Sequence, residues 1–127
     1  MGANLYANVG LQSSVQDANP HRLIQMLMEG FIQRVNVASH AMQRGDYALK
    51  GVQISKAIAI LGGLKDGLEL EKGGELAANL NDLYGYMETR LFEASANNEV
   101  AYLDEVKALM SEIKGAWDQI PEILSLA

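Results

Sequence analysis

Apolar residues recur at alternating steps of four and three through most of the chain, and this spacing predicts four helices, each with one face to bury. In the first, Ile24, Met28, Phe31, Val35, Ala38 and Met42 form the stripe, Asn19-Pro20 supplies a start and Gly45 a stop. Asp46 caps the second, whose stripe reads Tyr47, Ile54, Ile58, Leu61 and Leu68, widened by Val52, Ala57 and Leu64 and weakened late by Gly62, Gly63 and Gly67. Gly73-Gly74 breaks the chain and Glu75 opens the third. It carries one seam of Leu76, Leu80, Leu83, Met87 and Leu91 beside another of Ala77, Tyr84 and the shared Leu91. After a turn at Asn97-Asn98, the fourth places Leu103, Val106, Met110, Ile113 and Trp117 at the same spacing. Pro121 stops any continuation, leaving Ile120, Ile123, Leu124 and Leu126 as an apolar tail that needs something to pack on.

Residues 1–18 hold a single charge, Asp17, and scatter Leu5, Tyr6, Val9 and Leu11 without a helical or strand period, which reads as an arm or a short cap helix. No segment alternates like a strand. The expectation is one all-α domain over residues 1–127: a mobile arm (1–18), an antiparallel four-helix bundle (19–118) and a short tail (119–127).

Composition narrows the function classes. Ten basic against sixteen acidic residues give a net charge of −6, which opposes a polyphosphate partner, so nucleic acid is not expected. The absence of cysteine leaves no disulfide framework and no thiolate chemistry, as suits a reducing cytosol. The longest apolar stretch, Ala57–Leu64, is flanked by lysines and falls far short of the roughly 20 residues that span a bilayer, so no membrane insertion is expected.

Catalytic or metal chemistry has little to build on. A di-iron bundle needs Glu three residues before an inward His, and neither His21 nor His40 has one; no cofactor or metal is expected. His21 reads as a capping or surface residue and His40 as half-buried. Gly62–Gly67 lacks the spacing and the Lys-Ser or Lys-Thr pair of a phosphate cradle. The best enzymatic alternative is a histidine phosphotransfer domain using His40. Such domains place Lys three and Gly four residues later, whereas Gln43 and Arg44 stand there and Gly45 comes one late. A generic helical protein-interaction module is the other alternative.

Three blocks carry a more specific likeness: Tyr6; Asn19 to Gly30 (NPHRLIQMLMEG); and Leu68 to Leu91, with Glu71-Lys72-Gly73-Gly74-Glu75 followed by Asn79-Leu80, Leu83-Tyr84, Tyr86-Met87 and Arg90-Leu91. Together with Trp117 they resemble the flagellin export chaperone family, FliS, over most of residues 4–118. Two positions depart from the family pattern: Asn19 stands in a usual Ser-Pro, and Met28-Glu29-Gly30 stands where Tyr-Asp-Gly is usual.

The resemblance implies a cytoplasmic chaperone without catalytic activity. Such a protein would bind the disordered C-terminal segment of flagellin, prevent premature polymerisation and help deliver it to the type III export gate. It also implies that the N-terminal arm lies over a groove when the client is absent. The double seam of the third helix agrees with a helix-in-groove surface, although a central helix in a bundle would show the same width. The candidate contacts are Ile54, Ile58, Leu61, Leu80, Tyr84, Met87 and Leu91, with Tyr6 competing for the groove and Met26, Met28, Met87 and Met110 as adaptable fillers. The free chain would be monomer or dimer.

Overall fold

Asn19 accepts a hydrogen bond from the Arg22 amide at 2.8 Å through its side chain, and Pro20 follows at the first helical position, where no amide hydrogen is needed. These two residues start α1 (Pro20–Gln43). The computed structural model describes residues 19–120, and for residues 70–72 the backbone alone. The arm and the tail beyond Ile120 therefore lie outside the described residues.

Gly45, at φ 79°, reverses the chain after α1, and Asp46 caps α2 (Tyr47–Asp66) by accepting from the Leu49 amide. The third helix, α3 (Leu70–Asn97), begins earlier than the glycine pair predicts. One helical turn forms first, closed by the Gly73 amide on the Glu69 carbonyl, and the break falls within the element at Gly74, whose φ of 58° combined with ψ of −134° no side-chain-bearing residue adopts cheaply. Asn98 ends α3 in the left-handed conformation, and α4 runs Val100–Asp118.

Short connections make successive helices antiparallel, and packing contacts join α1 to α2, α2 to α3, α3 to α4 and α4 back to α1. The result is the expected four-helix bundle, a ring of four around one core. Phe31, Val35, Leu61, Met87, Leu91, Leu103, Val106 and Met110 are all at most 1% exposed at its centre. The stripes of α1 and α4 are buried as expected, with Ile24, Ile113 and Trp117 at their half-buried ends. Met28 joins Met87 and Met110 in the core, whereas Met26 is half-buried.

The buried face of α2 is rotated from the one the spacing predicts. Tyr47 and Val52 are exposed, and Lys50 and Gln53 are buried in their place beside Ile54, Ala57, Leu61 and Leu64. Each buried polar group has its partner. Lys50 Nζ donates to the Ser95 carbonyl at 2.9 Å and to Asn98 Oδ1 at 2.8 Å, putting a cation on the carbonyl end of α3, and Gln53 Oε1 accepts from Arg34. In α3, Leu76 is exposed, and the inner line runs Ala77, Tyr84, Met87, Leu91 and Ala94.

His21 is buried rather than capping or exposed. Its ring stacks on Trp117, 5.0 Å between centroids, and Nε2 lies 2.9 Å from the Trp117 carbonyl, while the Trp117 indole donates to the His21 carbonyl at 3.0 Å. This reciprocal pair clasps the start of α1 to the end of α4. Beside it Gln25 and Lys114 both donate to the Asp118 carboxylate, which holds that group below the usual carboxylate range, the lysine contributing most.

Halfway along the α3–α4 seam, Arg90 donates to Glu105 at 2.7 Å and lies 4.0 Å over the Tyr102 ring, and the Tyr86 hydroxyl donates to the same carboxylate. The Tyr86 hydrogen bond and the Arg90 guanidinium pull the Glu105 carboxyl below its ordinary value, and the tyrosine hydroxyl is correspondingly harder to ionise.

Two outcomes follow from this packing. Phe31→Ala should cost about 3–5 kcal/mol of unfolding free energy in urea titration, because a ring with no exposure leaves a cavity that the ring of helices cannot close. Glu105 has a depressed folded-state pKa, so its contribution is present above the ordinary glutamate range and is lost as pH falls through and below it. Urea midpoints measured down that acid limb should therefore fall more steeply for the parent chain than for Glu105→Gln; parallel curves would refute the coupling.

Candidate functional site

The residues singled out for a groove divide into two sets. Ile54 and Leu61 of α2 and Tyr84, Met87 and Leu91 of α3 are buried in the core between the helices, and burial raises the Tyr84 hydroxyl above its usual pKa. Ile58 and Leu80 are half-buried and pack on that core from its margin. Tyr6 lies outside the described residues.

What remains open between α2 and α3 is a shallow seam whose floor is the buried set. Two lysine ties bracket it: Lys65 to Glu88 at 2.9 Å near one end, and Lys50 to Asn98 at the other. Between these ties the antiparallel register sets Ile58 of α2 level with Phe92 of α3. Phe92 is 62% exposed, an expensive place for a benzyl side chain in water. Gly62 on α2 and Gly85 on α3 have open space where a side chain would stand, so the seam is not roofed by its own rims.

Spacing arguments pass over Phe92, because it follows Leu91 and falls off the stripe. The signal available in the sequence was only that an aromatic stood at a position the bundle did not require. The companion seam between α3 and α4 is different in kind. The Tyr86–Arg90–Glu105–Tyr102 group closes its middle with polar contacts, and exposed Leu76 lies towards one end.

Neither histidine is arranged for chemistry. His21 is held by Trp117, and His40 is exposed on the last turn of α1, not half-buried. Among the described residues no three His, Asp or Glu side chains gather as a metal site, and no helix is long and apolar enough to cross a membrane. The open features are apolar seams between amphipathic helices, which suit a partner helix.

Comparison with known proteins agrees with this geometry. The family model described as flagellar protein FliS matches residues 2–123. The chain is 51% identical to the flagellar secretion chaperone FliSB of Pseudomonas aeruginosa over 115 residues, which is 91% of each chain. It is 45% identical to flagellar secretion chaperone FliS of Salmonella typhimurium, over 94% of this chain and 89% of that one. With flagellar secretion chaperone FliS of Bacillus subtilis the identity is 32% over 85% of this chain and 80% of the relative. A four-helix bundle with an open apolar seam, matched along nearly its whole length by proteins named as secretion chaperones, belongs to the FliS family of flagellar chaperones.

Proposed function

We propose that this chain binds the C-terminal segment of flagellin in the cytosol, keeps it from polymerising early and aids its delivery to the flagellar type III export apparatus, with no catalytic role. Membership of a family of flagellar secretion chaperones supports the reading at the level of function. The observation that carries it at the level of the molecule is the open α2–α3 seam, where Phe92 stands exposed opposite half-buried Ile58.

A disordered client folds as it binds and must offset the entropy of its own ordering, so a long apolar track serves it better than one deep pocket. In this proposal the client lies as an amphipathic helix along the seam. Ile58, Leu80 and Phe92 touch it directly, and Ile54, Leu61, Tyr84, Met87 and Leu91 form the floor that keeps those contacts in place. Tyr6 on the arm competes for the same track, and the flagellar export gate is a further partner. The Lys65–Glu88 ion pair and the Lys50–Asn98 hydrogen bond limit the track at its two ends.

Calorimetry with a peptide of the flagellin C-terminal segment tests this directly. The parent chain should bind, and Phe92→Asp combined with Ile58→Asp should weaken binding at least about tenfold, since a charge in a helix-accepting seam must be desolvated without a partner. Val37→Asp, an exposed apolar position on α1, should bind like the parent. No binding by the parent chain, or equal binding by all three with unchanged melting temperatures, would overturn the proposal.

A further inference from the structure

Residues spaced by seven share a helix face, because seven residues make almost two full turns. Arg90 of α3 reaches across to α4, donating to Glu105 at 2.7 Å and lying over the Tyr102 ring. Leu83 and Leu76 stand seven and fourteen positions before Arg90 and so look towards α4 as well. On α4, Leu109 stands seven positions after Tyr102, with Ile113 one turn further on. Below the Arg90–Glu105 tie the α3–α4 seam is therefore apolar. Leu83, Leu109 and Ile113 are half-buried in it, and Leu76 is 68% exposed, the most exposed large apolar side chain among the described residues.

The rims of this strip carry one sign of charge. Glu75 and Asp82 each precede a strip leucine on α3, a step of about 100° towards solvent, and Glu112 stands in the same relation to Ile113 on α4. All three are exposed, and none forms an ion pair among the described residues. The bias extends along the chain: residues 69–118 hold eleven acidic against four basic side chains, whereas residues 19–68 hold three against six. Such a surface repels anionic lipid, and it repels a second copy that would bring the same acidic rims against it. It attracts a partner with cations beside an apolar face.

We infer that the lower α3–α4 seam is a docking surface for a cationic amphipathic helix of a partner protein. The apolar stripe of that helix covers Leu76, Leu83, Leu109 and Ile113, while its lysine or arginine side chains pair with Glu75, Asp82 and Glu112. The strip supplies contact area, and the acidic rims select the sign of the partner and speed its encounter. From Leu76 to Leu83 is about 10 Å, so a helix of a few turns spans the strip. None of these residues belongs to the α2–α3 seam assigned to flagellin, so failure of either assignment leaves the other standing.

The probe is a synthetic alanine-rich helix of about four turns with leucines along one face and lysines beside them, labelled and followed by fluorescence anisotropy. Two control peptides carry the same composition in scrambled order, or glutamates in place of the lysines. The parent chain should bind the lysine helix at least about tenfold more tightly than either control, and less tightly as salt is raised. Glu75→Lys with Asp82→Lys and Glu112→Lys should invert the preference in favour of the glutamate helix. Leu76→Asn, at a position already exposed, should weaken binding about fivefold without lowering the melting temperature. Phe92→Asp, on the other seam, should bind like the parent. Equal binding of the lysine helix and its scrambled control, or an unchanged preference in the triple variant, would overturn the inference. Displacement of the lysine helix by the flagellin C-terminal peptide would also overturn it, by giving the strip to flagellin. Self-association of the parent chain that Leu76→Asn abolishes would do the same, by giving the strip to a second copy.

Discussion

Every helix of this bundle has a stripe that only its neighbours can bury, and that mutual dependence organises the rest of the structure. Isolated helices of 19 to 28 residues gain little from propensity alone, and three glycines within α2 reduce it further. The free energy comes from bringing four stripes together around Phe31, Leu61, Leu91 and Met110. Polar contacts then decide register. The His21–Trp117 clasp closes the ring between α1 and α4, Lys50 fastens α2 to the end of α3, and Arg90 fastens α3 to α4. None of the three is needed for collapse, yet each favours one alignment of a helix pair over a slipped one.

The same economy leaves openings that a chaperone can use. The buried line of α3 takes in Ala77, Tyr84 and Met87 and excludes Leu76 and Phe92, so apolar side chains remain on both flanks of that helix. A bundle that needed only stability would place polar residues at those positions. The two flanks are not equivalent. The α2 side has small rims and lysine ties at its ends, whereas the α4 side has a polar closure at its middle and the start of the tail at its foot.

Much of the bundle was legible in the residues. Asn19-Pro20, Gly45, Asp46 and Asn98 act where they were expected, because caps and left-handed residues are local devices whose effect depends on a few neighbours. The stripes of α1 and α4 were legible for a related reason: nearly all their inward residues are apolar. The face of α2 was not, since Lys50 and Gln53 are polar yet buried, and a rule that keeps polar residues outside turns the helix towards Tyr47 and Val52. The burial of His21 is illegible for a similar reason, because its hydrogen-bonding partner stands 96 positions away.

Sequence by itself determined the helices, their order, their caps and, through three blocks of matching residues, the family. Tertiary structure decided which apolar residues are core and which are surface. Ile54, Leu61, Tyr84, Met87 and Leu91 share a helical spacing with residues that face outward, and only packing against the neighbouring helices separates them. The physical reason is that periodicity reports a position's angle around its own helix, while exposure depends on where the other helices stand, a long-range property that no local spacing contains.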